Sequence, residues 1–520
     1  MNKMSNFIYK AGALAILIGA TSAHVSAQGY TSASLELLKE QKLWFHSSNA
    51  AGAALDNLQN YSLVNIGYDM TKGDFHRPQQ GAEEKSILVG CEGFLNLKSA
   101  YAWGEFNFEQ RNIYDASFNA SITDPYRGMP FFMADTHQSE WRNQYYDMKF
   151  RVGTPFYWDR LAIGVEGKYK ASLAAKQLDP RVDTRHFQLD INPGVVYKID
   201  DRNSIGADFQ FCSLKEDSRM ENINVTVAQT YYILYGLGVA SEQIGDGERL
   251  DYHGTKLGGG LQYNYRSQGF NLLATVDYSR RVENFDRSPD VPKKEASVND
   301  HIWEAALTAH LTGKNWSNFL TLKGKFRDMD GIQYVSTYDN TDSFQGWVDI
   351  YHSVRSTYKT TRLSADYSLL RNRDAEYAWR VDAGVDYVKQ DDKYILPASS
   401  MDSENLYMHL TARYNAKLGN QLRRRLLVSL NGGYNNNLSG EYVYGGANPE
   451  YPTVTGLTEM DEAYLTTDYY RLGASAEYSQ QFSRTQKMNF FARASFGYTK
   501  ASGDIFNHRN NVLFSVGVNF

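Results

Sequence analysis

The sequence predicts an all-β chain: a single transmembrane antiparallel up-and-down β-barrel of about 18 strands (16–20), preceded by a short N-terminal helical segment. Three observations carry this expectation. From Tyr61 onward, runs of about ten residues alternate apolar and polar side chains, the length a tilted strand needs to cross a bilayer. The connections between runs fall into two classes, short and long, that alternate along the chain. The final run, Asn511 to Phe520, repeats the alternation: Val512, Phe514, Val516, Val518 and Phe520 share one face, opposite Asn511, Ser515, Gly517 and Asn519.

Residues 1–27 read as a secretory signal peptide. Lys3 and Lys10 precede the apolar run Ala11 to Ala20, and Val25-Ser26-Ala27 offers a small-residue cleavage site before Gln28. The apolar run is too short for a membrane-spanning helix. No Cys stands at the cleavage point, which argues against a lipoprotein.

Residues 28–60 form a second unit. Leu35, Leu38, Lys39, Glu40, Lys42 and Leu43 have helical spacing, Trp44-Phe45 follows, and Ser48 to Leu55 is rich in small residues. The expectation is a short amphipathic helix and a tight turn, lying in the periplasm or tucked into the barrel. The segment is too short to be the folded plug domain of TonB-dependent receptors.

Residues 61–520 supply the barrel. Val64, Ile66, Tyr68 and Met70 oppose Asn65, Gly67 and Asp69; Tyr146, Met148, Phe150 and Val152 oppose Tyr145, Asp147, Lys149 and Arg151. The same pattern recurs late, with Trp379, Val381, Ala383 and Val385 opposite Arg380, Asp382 and Gly384. Short connections are expected at 200–203, 267–269, 313–316, 371–376 and 483–486. Long ones are expected at 113–142, 213–254, 328–358 and 436–466. Two stretches, 229–239 and 332–338, read equally as loop structure or as strand extension. An even strand number puts both termini on the periplasmic side, and the first and last strands should pair to close the barrel.

Composition excludes some classes. Mean hydropathy is −0.52, but a barrel hides from that average because lumen and loop residues are polar. The 38 Tyr and 41 Gly against 11 Pro suit strands with aromatic girdles. A formal net charge of −5 is slight for 520 residues and argues against a nucleic-acid partner. Cys91 and Cys212 lie in strand-like runs and read as small packed residues rather than as a disulfide framework. A propeller would need a repeat period that these strands lack.

No catalytic, cofactor or metal signature emerges. Gly258-Gly259-Gly260 is not followed by a helix, so it is no phosphate loop. His301 and His310 fall on opposite faces of one strand and cannot share an ion, whereas His310 and His409 are expected to face the lumen. The expectation is a protein that is not an enzyme. The informative residues are those predicted to line the lumen: Asp147, Lys149, Arg151, Glu166, Lys168, Arg380, Asp382, Arg413, Arg471 and Arg493 as candidates for structure or selectivity. Lys323, Lys325, Arg327, Arg362, Asp190, Asp277 and Asp386 belong to the same face. Mixed signs on neighbouring strands predict cross-strand ion pairs.

The terminal run, and Phe514, Val516, Val518 and Phe520 in particular, resembles the C-terminal assembly signal of Gram-negative outer-membrane barrels. That resemblance implies the outer membrane, with its lipid and the barrel-assembly machinery as partners. The whole mature chain resembles an uncharacterised outer-membrane barrel family of Bacteroidota, most recognisably at Leu43-Trp44-Phe45-His46-Ser47-Ser48-Asn49-Ala50-Ala51-Gly52. Asn49-Ala50-Ala51-Gly52 is also similar to the Asn-Pro-Ala-Gly turn after the N-terminal hatch of FadL-type transporters, with Ala in place of Pro.

The function expected from these readings is a channel or transporter for a small solute, gated by residues 28–60. The alternative is a non-conducting barrel whose long loops bind a surface ligand or an envelope protein. Tyr126, Met129, Pro130, Phe131, Phe132 and Trp141 motivate the alternative, although loops folded into the barrel mouth would carry the same residues.

Overall fold

The computed structural model describes residues 29–224, 226–287, 291–341, 344–419, 421–483 and 488–520. The expected signal peptide and the 483–486 turn lie wholly or mainly outside these residues.

Eighteen strands, from Tyr61–Gly73 to His508–Asn519, form one sheet in which each strand pairs antiparallel with the next barrel strand in sequence. The first and last also pair with each other. Val64 stands opposite Val518 and Tyr68 opposite Phe514, and Ser62 and Phe520 exchange backbone hydrogen bonds. The sheet is therefore a closed barrel without edges.

The outer face explains why the alternation was so regular. Ile66, Phe150, Leu261, Phe326, Leu430, Phe496 and Phe514 are all exposed along the strands. An apolar belt of this extent is stable only against lipid. Large aromatic side chains collect near the short turns, among them Trp158, Trp316 and Tyr414. Val518 and Phe520 are half-buried, at the end of the last strand.

Short turns are found between Lys198 and Asn203, Ser267 and Phe270, Thr312 and Trp316, and Arg373 and Glu376. The long connections differ from expectation chiefly in two places. Asp328 to Tyr358 is not a loop: strands Trp316–Thr341 and Phe344–Arg373 continue through it as one hairpin ladder, with bulges at Gly331/Ile332 and Val335/Ser336. Beyond the lipid belt both strand faces meet water, so the apolar alternation that marks a spanning strand is lost although the ladder persists. Similarly, 213–254 begins and ends as strand, since Asn203–Glu221 and Gly247–Ser267 both extend into it.

Three shorter strands form a separate sheet over the mouth, in which Gln229–Gly236 pairs with Val239–Gly245 and with Phe132–Ala134. Of the two ambiguous stretches, 229–239 is thus loop structure and 332–338 is strand extension. Cys91 and Cys212 are unpaired.

Candidate functional site

The N-terminal segment runs through the inside of the barrel. Its helix, Ser32–Glu40, is capped by Thr31, whose hydroxyl accepts from the Ser34 amide at 3.2 Å. Ala33 and Leu37 pack on Phe319, Leu370 and Tyr377, while Tyr30 and Leu35 pack on Tyr61 and Phe94. The helix's charges reach in different directions. Glu36 and Glu40 accept from Arg380, Glu36 also accepts from Arg413, and Lys39 pairs with Glu92 near the start of the barrel. A single turn of helix touching walls that lie so far apart in the sheet order can do so only from within.

After the helix the chain crosses the lumen. Trp44 is buried on Ala162, Val196 and Leu273, and its indole donates to Asn264 Oδ1 at 3.3 Å. Arg151 donates to the carbonyls of Phe45 and Ser47. Asn49 is fully buried; its Nδ2 donates to Val195 O at 2.9 Å and Gln262 Oε1 at 3.0 Å, and its Oδ1 accepts from the Ala51 amide at 3.1 Å. The wall makes room for this turn with Gly164 and Gly194, which face each other in register. A Cβ on Gly164 would meet the Ala51 amide at 2.4 Å, and one on Gly194 would meet Asn49 Oδ1 at 2.3 Å. Small residues in the turn and in the wall therefore serve one close approach.

Burial sets the protonation of the segment. Asp56, enclosed and backed by Lys42 and Arg266, is pushed up to about 7 because desolvation outweighs those cations. His46 is held below its usual range by burial, and Arg151 and Lys323 add to that effect.

The opposite end is closed by loops. Phe131, Met133, Ile122 and Ile233 are fully buried in a core that also takes in Met129, Phe132 and Trp141. The aromatic loop residues that suggested a partner-binding surface are therefore mostly interior, packed into the barrel mouth. Arg127 leads this plug of loops inward, pairing with the fully buried Glu216 and Glu283, and the Gly128 carbonyl accepts from Arg327 at 3.1 Å. Arg77 makes a bidentate pair with Asp461, tying two loops together.

Between the two closures lies a polar chamber. A cavity of about 1070 Å³ rests on Glu36, Lys39, His46 and Ser48 of the segment, with Asp190, Asp277, Lys323 and Arg362 among its walls. A second, of about 570 Å³, lies under the loops against Tyr126 to Pro130. The two share Lys256, Lys325 and Arg362.

The residues singled out in the sequence divide into two groups. Lys168, Arg380 and Arg413 line the larger cavity, with Glu166 and Asp382 pairing to them from behind. Lys149 pairs with Glu105 at 3.1 Å, Asp147 lies 3.9 Å from Lys170, Arg493 pairs with Glu477, and Arg471 donates to Thr499. These latter groups line neither cavity. His310 stacks on Phe319 with ring centroids 4.0 Å apart, and His409 stands 3.4 Å from Asp366 and 3.5 Å from Asp386. Among the described residues, no group of three or more His, Cys, Asp or Glu could hold a metal ion. Sequence reading missed Lys256, Arg281 and Arg127. The first was legible, since Leu257 and Leu261 face out and Lys256 must then face in.

A model of a family of unknown function, DUF6850, matches residues 50–520. The chain belongs to that family. A search of curated proteins finds no match. Among solved structures it is similar to the copper transporter OprC, at 12% identity and a TM-score of 0.39, over 88% of this chain and 80% of that one. It is also similar to BauA, the ferric preacinetobactin receptor from Acinetobacter baumannii (10%, TM-score 0.40, 89% and 80% covered). A Pseudomonas aeruginosa FadL homologue matches at 10% identity and a TM-score of 0.31, covering 95% and 97%.

Proposed function

We propose that this member of the DUF6850 family is an outer-membrane channel or transporter for a small solute, with both ends of the barrel strand order in the periplasm and residues 29–60 as its gate. The observation that carries the reading is the chamber of about 1070 Å³ whose floor is the N-terminal segment. That floor is fastened by side chains of Arg151, Arg380 and Arg413 rather than by strand pairing, so it can be released without breaking the barrel. The walls are polar and charged, which suits a hydrophilic solute and not a lipid-like one.

Liposome swelling in glucose tests it. In an Arg127→Ala background, which loosens the loops at the other end, the full-length protein carrying Arg151→Gln, Arg380→Gln and Arg413→Gln should swell liposomes faster than the chain with Arg127→Ala alone. A triple variant that migrates as a folded, heat-modifiable barrel yet admits no glucose would overturn the proposal.

One observation favours a second reading, a barrel that displays a docking surface. The projecting hairpin exposes Val335, Tyr338, Ile350 and Tyr351 beyond the lipid belt. Substituting Ile350 and Tyr351 with Ser should then abolish copurification of a stoichiometric envelope protein while leaving liposome swelling unchanged. Isolation of the unsubstituted barrel always alone would remove this reading.

A further inference from the structure

Strand register decides which charges of the lumen are neutralised within the wall. Residues directly across an antiparallel pair lie about 5 Å apart, so a cation opposite an acid is matched there. Arg493 stands opposite Glu477, Arg151 opposite Glu166 and Lys325 opposite Glu304.

At the waist, where Lys256, Lys325 and Arg362 line both cavities, and beside it at Lys323 in the larger one, the register does the reverse. Arg362 has Lys325 across one side and Val388 across the other. Lys323 stands between Ala306 and Ser364. Lys256 lies between Cys212 and Arg281. Among the described residues neither Lys323 nor Arg362 has an ion-pair partner within 4.0 Å, and Lys256 reaches only Asp190, at 3.9 Å. The smaller cavity is lined by seven Arg or Lys against two Asp. Asp461, Glu216, Glu283, Asp300 and Glu304 match Arg77, Arg127, Arg281, Arg327 and Lys325, which leaves Arg362 and Lys256 as its least matched cations. Like charges facing each other across a strand pair destabilise it, more so away from bulk water. Arg362 and Lys323 are matched only when something negative enters.

We propose that the waist is a binding site for a small oxyanion, a carboxylate or phosphate group held by Arg362, Lys323 and Lys256. This rests on the reading of the barrel as a solute passage and names the class of solute. The guanidinium of Arg362 offers a planar fork for two oxygens, and the ammonium groups add point charges, Lys323 from the adjacent strand and Lys256 from the strand four places along the sheet. Neutral sugars gain nothing from this arrangement, and a cation gains nothing from the unmatched Arg362 and Lys323.

Isothermal titration of the full-length, detergent-folded barrel at low salt tests the site, with inorganic phosphate, succinate, glucose and spermidine as probes. Phosphate, succinate or both should bind with sub-millimolar Kd, while glucose and spermidine give no heat. Which of the two anions binds tighter identifies the oxyanion. Arg362→Gln with Lys323→Gln should weaken binding at least tenfold, whereas Lys359→Gln, on the outer face of the same strand, should leave it unchanged. Heat-modifiable migration of each variant guards against misfolding. Absence of phosphate and succinate binding up to 10 mM, or equal binding by all variants, overturns the proposal. A barrel that passes glucose but binds neither anion loses this site and keeps the passage; one that binds but never conducts keeps the site and loses the passage.

Discussion

Arg380 grips Glu40 with two guanidinium nitrogens, Nη2 lying 2.8 Å from Oε1, and so joins a barrel strand to the helix that floors the chamber. Charge-assisted bonds of this kind contribute about 1.5–3 kcal/mol each when partly shielded from water. Arg380→Gln should therefore loosen the 32–40 helix by about 2–3 kcal/mol. Hydrogen exchange of the Leu35 to Glu40 amides reads this directly, and the barrel strands should keep their protection. Unchanged exchange in the helix would show that apolar packing on Phe319 and Tyr377 suffices to hold it.

Arg127 does the corresponding work at the mouth, where Glu216 and Glu283 are both fully buried beneath it. Glu216 keeps bonds from Thr123, and Glu283 keeps Arg281, so the loss is only partial when Arg127 is removed. Arg127→Ala should destabilise the 117–135 loop by about 2–3 kcal/mol, less than the ~3–5 typical of a buried pair that loses its only partner. The expected readout is rapid trypsin or chymotrypsin cleavage within the loop, with the barrel remaining intact. A loop that stays resistant would mean that its aromatic core alone seals the mouth.

Asp56 makes seating of the segment depend on pH. Its carboxyl is raised from 3.8 to about 7, so the seated state binds more protons than a released one. The stabilisation is full below about 3.8 and is lost as pH rises through about 7. Asp56→Asn should thus increase protection of the Trp44 to Gly52 amides most at pH 8, less at pH 5, and change it little only below about 3.8. His46 works in the opposite sense, since its depressed pKa disfavours the seated state as pH falls below 6.5. The comparison between Asp56→Asn and the parent cancels that contribution. Equal protection of both proteins at pH 8 would contradict the assignment.

Phe514 points into lipid from the closing strand, exposed on the outer face and paired in register with Tyr68. Phe514→Arg should cost about 2–4 kcal/mol near the bilayer midplane and lower the yield of heat-modifiable barrel. Ser515→Arg, one residue on and facing inward, should assemble far better. Equal assembly of the two would place the closing strand in a different register.

The barrel was legible because lipid on one face and water on the other force a period of two on every spanning strand. Val64 to Met70 and Phe490 to Tyr498 could hardly be read otherwise. The hairpin around Ile332 to Val354 was not legible, since outside the membrane both faces are wet and nothing enforces the alternation. Phe131, Phe132 and Trp141 could be counted but not placed, because an aromatic loop has the same composition whether it faces solvent or fills a mouth. The register that leaves Arg362 opposite Lys325 was also out of reach, since the cross-strand offset depends on where each strand begins. Asn49 was noticed as part of a short motif, but its grip on Val195 and Gln262 depends on walls more than a hundred residues away.

The central claim is that residues 29–60 close a passage which the barrel otherwise holds open. Single-channel recording in planar bilayers tests it most directly, comparing the full-length chain with one lacking residues 29–60. Both should carry Arg127→Ala, so that the loops do not hold the other end shut, and both should be shown to be folded by heat-modifiable migration. The predicted result is a largely silent full-length protein with brief openings and a deletion variant with a steady open level. A folded deletion variant as silent as the full-length chain would contradict the account.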